Sequence, residues 1–224
     1  MSVAAASTPS EYLSRLRLHG FRNLDEQTLE LPPEGAALIG DNGQGKTNLL
    51  EAIYYLEIFR SFRGAPDEQL IQFGGDFFRV EGRMRDAAGR ESVIAAAYER
   101  RGKRKKVTEN GIEPERLGEA LGGVGAVIFS PSDLEIVSGS PAGRRRFLDI
   151  VLSLTFPGYL VALQRYRHIL LQRNSLLRQG SPCEVIAAFD PSLVEWGSRI
   201  AEWRMGWVAE VAESFAEHYA RVSG

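Results

Sequence analysis

The residues best placed to do chemistry are Gly40-Asp41-Asn42-Gly43-Gln44-Gly45-Lys46-Thr47. Their spacing matches G-x-x-x-x-G-K-[ST] without a mismatch. Glycines let a backbone curl until successive N–H groups point inward at phosphate oxygens. A loop that feeds a helix N-terminus adds free amides and a dipole, both favouring an anion. In that arrangement Lys46 bridges the β- and γ-phosphates, and the Thr47 hydroxyl ligates Mg²⁺. The residues assigned to the nucleotide are therefore Gly40, Asp41, Asn42, Gly43, Gln44, Gly45, Lys46, Thr47 and the following Asn48, with Thr47 as the metal ligand.

The flanking elements must hold that loop. Ala36-Ala37-Leu38-Ile39 is a short apolar run expected as a buried central strand. Leu49, Leu50, Ile53, Tyr54 and Leu56 follow Lys46 at helical spacing. Hydrolysis additionally needs an acidic residue at the end of another apolar strand. No run of four apolar residues followed by Asp-Glu occurs. Ile186-Ala187-Ala188-Phe189-Asp190 comes nearest, but it leads into a helix start. Nucleotide binding is thus legible while a reaction is not, and no catalytic residue is assigned within the chain.

A second charged feature is Glu99-Arg100-Arg101-Gly102-Lys103-Arg104-Lys105-Lys106. Arg100, Arg101, Lys103, Arg104, Lys105 and Lys106 form a candidate contact for nucleic-acid phosphates that reads no sequence. A solvated hairpin tip explains the same charges equally well. Arg144, Arg145 and Arg146 fan too widely around a helix to meet one ligand, so structural pairing is favoured over DNA contact. Trp196, Trp203 and Trp207 recur with Leu193 and Ile200 at helical spacing, which reads as core packing rather than base stacking. His19, His168 and His218 are scattered and Cys183 is the single cysteine. One cysteine excludes an internal disulfide and a cysteine-cluster metal site, and three scattered histidines argue against a histidine-based one.

Along the chain, residues 1–10 are small and polar and read as a mobile leader. Strands are expected from Leu13 to His19, from Gln27 to Leu31, over 77–85 and 91–99, and at Ala126-Val127-Ile128-Phe129. After Pro141 glycine becomes rare and helical periodicity dominates. Phe147, Ile150, Val151 and Leu154 share one face, and Leu160, Leu163, Tyr166, Leu170 and Leu177 share another. Asp190-Pro191 reads as a helix start. The expected organisation is a leader at 1–10, an α/β nucleotide-binding lobe at 11–140 and a helical arm at 141–224. The net charge of −2 hides a zone of net +6 over residues 141–182, which suggests local contact with a polyanion. Without a signal-peptide pattern or a membrane-length apolar run, a cytoplasmic location is expected.

Gly40 to Asn48, extended by Leu49-Leu50-Glu51-Ala52-Ile53, resembles the RecF family of recombinational repair ATPases. Leu16-Arg17-Leu18-His19-Gly20-Phe21-Arg22-Asn23-Leu24 is similar to the family's opening strand. Phe129-Ser130-Pro131-Ser132-Asp133-Leu134, Gly139-Ser140-Pro141 and Arg144-Arg145-Arg146-Phe147-Leu148-Asp149 resemble its most distinctive internal segment. Tyr166, Leu170, Arg173-Asn174 and Leu176-Leu177 are similar to its helical arm. The resemblance implies a P-loop head of ABC type, related to that of SMC proteins, with an inserted helical arm. It places Arg22 and Asn23 beside the nucleotide. It implies ATP and Mg²⁺ as cofactors, an ATP-induced homodimer, and binding to double-stranded DNA near single-strand gaps. RecO and RecR are the implied partners in loading a recombinase. The family's signature motif and Walker B acids lie in a C-terminal portion, so the chain is expected to be an N-terminal piece with little hydrolysis of its own. Competing readings are a P-loop kinase, another SMC-like ATPase, and a module that uses nucleotide only to gate protein contacts.

Overall fold

The computed structural model describes residues 11–223. The leader expected at 1–10 lies outside the described residues. Chain contacts divide the molecule into two units, one ending at Phe129 and one beginning at Ser130.

The first unit is built on β1 (Glu11–His19), β2 (Gln27–Glu30), α1 (Lys46–Ile58), β3 (Phe77–Asp86), β4 (Glu91–Glu99) and β5 (Arg104–Glu109). The strands form one sheet in the order β2-β1-β3-β4-β5, with every neighbouring pair antiparallel. The strands expected at 77–85 and 91–99 are β3 and β4, joined by a tight turn in which Gly89 donates its N–H to Asp86 O at 2.9 Å. Alternation decides the two faces. Phe78, Val80, Gly82 and Met84 turn to the core, while Arg79, Arg83 and Arg85 take the opposite side. α1 covers the buried face and packs on β3 and β4. Gly82 permits this approach, because a Cβ there would lie 2.7 Å from Leu56 Cδ1. Phe21, Tyr55 and Phe78 meet edge-to-face with centroids 5.2–6.1 Å apart and close the core.

Two expected strands do not form. Ala36–Ile39 and Ala126–Phe129 have no regular structure and lie outside the sheet, with Ile39 94%, Val127 96% and Phe129 88% exposed. The sheet's edges are β2 and β5, and neither segment joins them. Apolar sequence favours a strand, but a strand exists only when a neighbouring backbone accepts its hydrogen bonds. In the sequence β5 reads only as charge. Its buried Val107 and inward Lys105 share one face, and its cations mask the alternation.

The second unit is helical: α2 (Glu135–Ser138), α3 (Pro141–Thr155), α4 (Tyr159–Arg178), α5 (Cys183–Ala187) and α6 (Asp190–Ser223). Leu152, Tyr159, Ala162, Leu163 and Ile200 are buried at its centre, and Trp196, Trp203 and Trp207 pack around them. The tryptophan seam is thus packing surface. Leu177, expected on the same face as Leu163, is 47% exposed, whereas Leu163 is buried. Buried Asp149 is the polar hub of this unit. It accepts hydrogen bonds from Tyr159 Oη at 2.7 Å, Arg204 Nη2 at 2.7 Å and Arg167 Nη2 at 2.8 Å. Burial and the Asp149 contact push the Tyr159 phenol up to about 12.

Candidate functional site

The glycine-rich segment Gly40–Gly45 runs directly into α1, which starts at Lys46. Gly45 caps the helix with φ +99°, a left-handed conformation that other residues rarely adopt. Space enforces the same choice. A Cβ on Gly45 would lie 2.7 Å from Leu24 Cδ2 and 2.9 Å from Asn23 Oδ1. The first turn of α1 holds no acidic side chain, so nothing opposes an anion at its amides.

Lys46 already occupies the loop. Its Nζ donates to Gly40 O at 2.6 Å and to Asp41 O at 2.7 Å. The ammonium therefore sits at the loop mouth, satisfied by carbonyls that an entering phosphate oxygen can replace. Gln44 braces the turn by accepting the Asp41 N–H on Oε1 at 3.2 Å. Asp41, Asn42, Gly43, Gln44 and Thr47 are exposed, and Lys46 and Asn48 are half-buried. The Thr47 hydroxyl stands on the first turn, open to solvent.

The loop after β1 locks onto this cradle. Asn23 Nδ2 donates to Gly43 O at 3.0 Å, and Asn48 Nδ2 donates to Asn23 Oδ1 at 2.7 Å. Asn23 thus touches the phosphate loop itself. Arg22 is placed differently. Its guanidinium forks onto Glu51, Nε to Oε2 and Nη2 to Oε1, both at 3.0 Å, and Nη1 reaches Gln69 O at 3.2 Å. Its backbone is left-handed at φ +57°, held by an N–H bond to Leu70 O at 2.7 Å.

Glu51 is the residue that sequence reading missed. Its side chain is fully buried, one helical turn past Lys46. It accepts Ser61 Oγ at 2.5 Å and lies 3.6 Å from the Arg63 guanidinium. Arg63 in turn donates to Asn48 Oδ1 at 3.1 Å. Asn23, Asn48, Arg63, Glu51 and Arg22 therefore form one connected polar rim beside the phosphate loop. The available signal was a carboxylate embedded in the apolar stripe of α1, which needs a buried cation to be tolerated.

The basic run divides by strand alternation. Arg100, Arg101, Lys103, Arg104 and Lys106 are exposed at or near the β4–β5 turn. Lys105 turns the other way. Its Nζ meets Asp67 Oδ2 at 2.7 Å and Phe59 O at 2.6 Å, and lies 5.2 Å from the centroid of the Tyr55 ring. Burial lowers its pKa, against the opposing pull of Asp67. Arg144, the first of the arginine triplet, donates to Gly139 O at 3.0 Å.

Residues 15–134 match the family described as AAA domain. The DNA replication and repair protein RecF of Halalkalibacterium halodurans is 46% identical over 75% of this chain and 44% of its own length. That of Lactobacillus delbrueckii subsp. bulgaricus is 37% identical over 95% of this chain and 56% of its own length. The chain thus spans about half the length of the curated relatives it matches. A solved structure described as the recombination mediator protein RecF with ATPrS in the RecFOR pathway superposes with a TM-score of 0.85. It is 35% identical and covers 95% of this chain and 58% of its own. An SMC ATPase structure shares the fold at a TM-score of 0.51 and 22% identity, over 62% of this chain and 99% of its own. Taken with the phosphate loop and its asparagine lock, these matches establish that the chain carries an AAA domain and belongs to the RecF family.

Proposed function

We propose that this chain is the phosphate-loop portion of an ATP-dependent DNA-binding protein of recombinational repair. The observation that carries the reading is the Lys46 ammonium resting on Gly40 O and Asp41 O at the N-terminus of α1. A triphosphate replaces those two carbonyls with phosphate oxygens, and the amides of the loop complete the cradle. A solved relative described as RecF-ATP, similar over 96% of this chain, supports ATP as the nucleotide.

Mg²⁺ fits the same place. Among the described residues no cluster of three or more His, Cys, Asp or Glu can hold a metal. A magnesium ion bound largely through phosphates and water needs only the Thr47 hydroxyl from this chain. When bound it neutralises phosphate charge. The chain's own residues orient the tail: Asn23 fixes the loop through Gly43 O, and Glu51 restrains Arg22 and Arg63 at the rim.

The DNA surface follows from charge and alternation. Arg100, Arg101, Lys103, Arg104 and Lys106 face solvent, and Arg104 and Lys106 continue onto the open side of the sheet, where Arg79, across β4 from Lys106, is paired with Glu81. That side is suited to phosphates of duplex DNA rather than to base edges. Arg83 and Arg85 lie on the same side but are paired with Glu91, so they add little. An ATP-dependent homodimer on gapped duplex DNA, acting with RecO and RecR in the cytoplasm, completes the reading. No helix among the described residues is long and apolar enough to cross a membrane.

The test is binding of duplex and gapped DNA with ATP, ADP and no nucleotide, for the native chain and Lys46→Ala. Affinity that rises with ATP only in the native chain supports the proposal. Equal affinity under all three conditions would favour a protein-interaction module. A phosphorylated small-molecule product would favour a kinase.

A further inference from the structure

Five of the six cations in the basic run face water, and the sixth, Lys105, is half-buried against the helix that starts at the phosphate loop. We infer that Lys105 is a positioning residue that fastens the β4–β5 hairpin to the far end of α1, so that displacement of the phosphate loop reaches the basic surface. The inference rests on the nucleotide reading of the Gly40–Asn48 loop.

The geometry supplies a continuous path. α1 begins at Lys46 and ends at Ile58, about 20 Å of hydrogen-bonded helix that moves as a unit. Its last turn and C-cap carry two of the three groups that hold Lys105. Phe59, the C-cap with φ +51°, presents its carbonyl to Nζ at 2.6 Å. Tyr55 lends its ring face at 5.2 Å and donates its hydroxyl to Asp67 Oδ1 at 2.9 Å. The other oxygen of Asp67 takes the Lys105 ammonium at 2.7 Å. Tyr55, Phe59 and Asp67 therefore form a cage that satisfies one cation from three sides.

On the hairpin side, Lys105 pairs with Tyr98 across β4–β5, next to the exposed Arg104 and Lys106. A strand cannot shift one residue without carrying its neighbours, because the ladder fixes their register. The charge on Lys105 serves this attachment, since its ammonium is already taken up by Asp67 and the Phe59 carbonyl. Replacing it costs the cage its cation and leaves Asp67 with the Tyr55 hydroxyl alone among these contacts.

The experiment is hydrogen exchange on the full chain with and without ATP, following residues 40–48 and 99–106 together. It uses the native chain, Lys105→Met and Asp67→Asn, with protection in β1 and β3 reporting that each variant folds. In the native chain ATP should slow exchange at 40–48 and change it at 99–106. Both variants should keep the first effect and lose the second. Should ATP protect 40–48 yet leave 99–106 unchanged in the native chain, or change it equally in either folded variant, the inference is overturned while the nucleotide reading stands. If ATP leaves 40–48 itself unprotected, the nucleotide reading fails and takes the coupling with it. Because Asp67→Asn keeps the lysine and the size of its partner, it carries the test if Lys105→Met does not fold.

Discussion

Glu51 sets the energetic terms at the phosphate loop. A carboxylate with no solvent exposure is tolerated only because Arg22 and Ser61 bond it and Arg63 stands close by. Removing the carboxylate takes both side-chain hydrogen bonds from the Arg22 guanidinium and leaves it the Gln69 carbonyl. Glu51→Ala is expected to destabilise the first unit by about 3–5 kcal/mol, measured by urea unfolding, and Glu51→Gln by less. Gly45→Ala fails for a different reason: its Cβ meets Leu24 and Asn23, and its φ of +99° disfavours a side chain. It should cost about 1–3 kcal/mol and weaken nucleotide binding as well. At this scale the sequence was informative about identity and poor about partners. The spacing from Gly40 to Thr47 announces an anion cradle because the motif's chemistry is local. Arg22 pairing with Glu51 depends on residues 29 positions apart, a distance that no local pattern encodes.

At the scale of elements, alternation was the reliable guide and apolar composition was not. β3 declares itself by period-two burial, and β4 by the turn that joins the two. Ala36–Ile39 and Ala126–Phe129 have the composition of buried strands but join no ladder among the described residues, so they stay open. Amides at 126–129 should therefore exchange with the fast phase in a hydrogen-exchange time course, while those of β3 stay protected. Protection at 126–129 matching β3 would show that another partner pairs them. β5 was hidden for the opposite reason, because cations occupy the outward positions of a real strand. In the helical unit, Tyr159 has a raised pKa of about 12, from burial first and Asp149 second. Below about pH 10 the phenol is neutral whether folded or unfolded, so its stabilising effect is complete. Between about 10 and 12 the unfolded chain ionises first and stability falls with pH. The Tyr159→Phe variant lacks this contribution. Urea midpoints at about pH 9 and about pH 11 should therefore converge more in the variant than in the native chain.

For the whole molecule, the claim on DNA is electrostatic and so has a numerical signature. Each exposed cation that neutralises a phosphate steepens the dependence of log affinity on log salt by about 0.9. Arg101→Ala, Lys103→Ala and Arg104→Ala should each lower that slope by about this amount, whereas a surface that only keeps the chain soluble would leave it unchanged. All of this depends on the loop ahead of α1 holding a triphosphate. The direct measurement is calorimetric titration of ATP with Mg²⁺ into the native chain and into Lys46→Ala. One site is expected in the native chain, with affinity lowered about 10–100-fold in the variant, the loss that follows from removing a charged hydrogen bond of about 1.5–3 kcal/mol. Equal affinity in both proteins, or no binding by the native chain, would contradict the account.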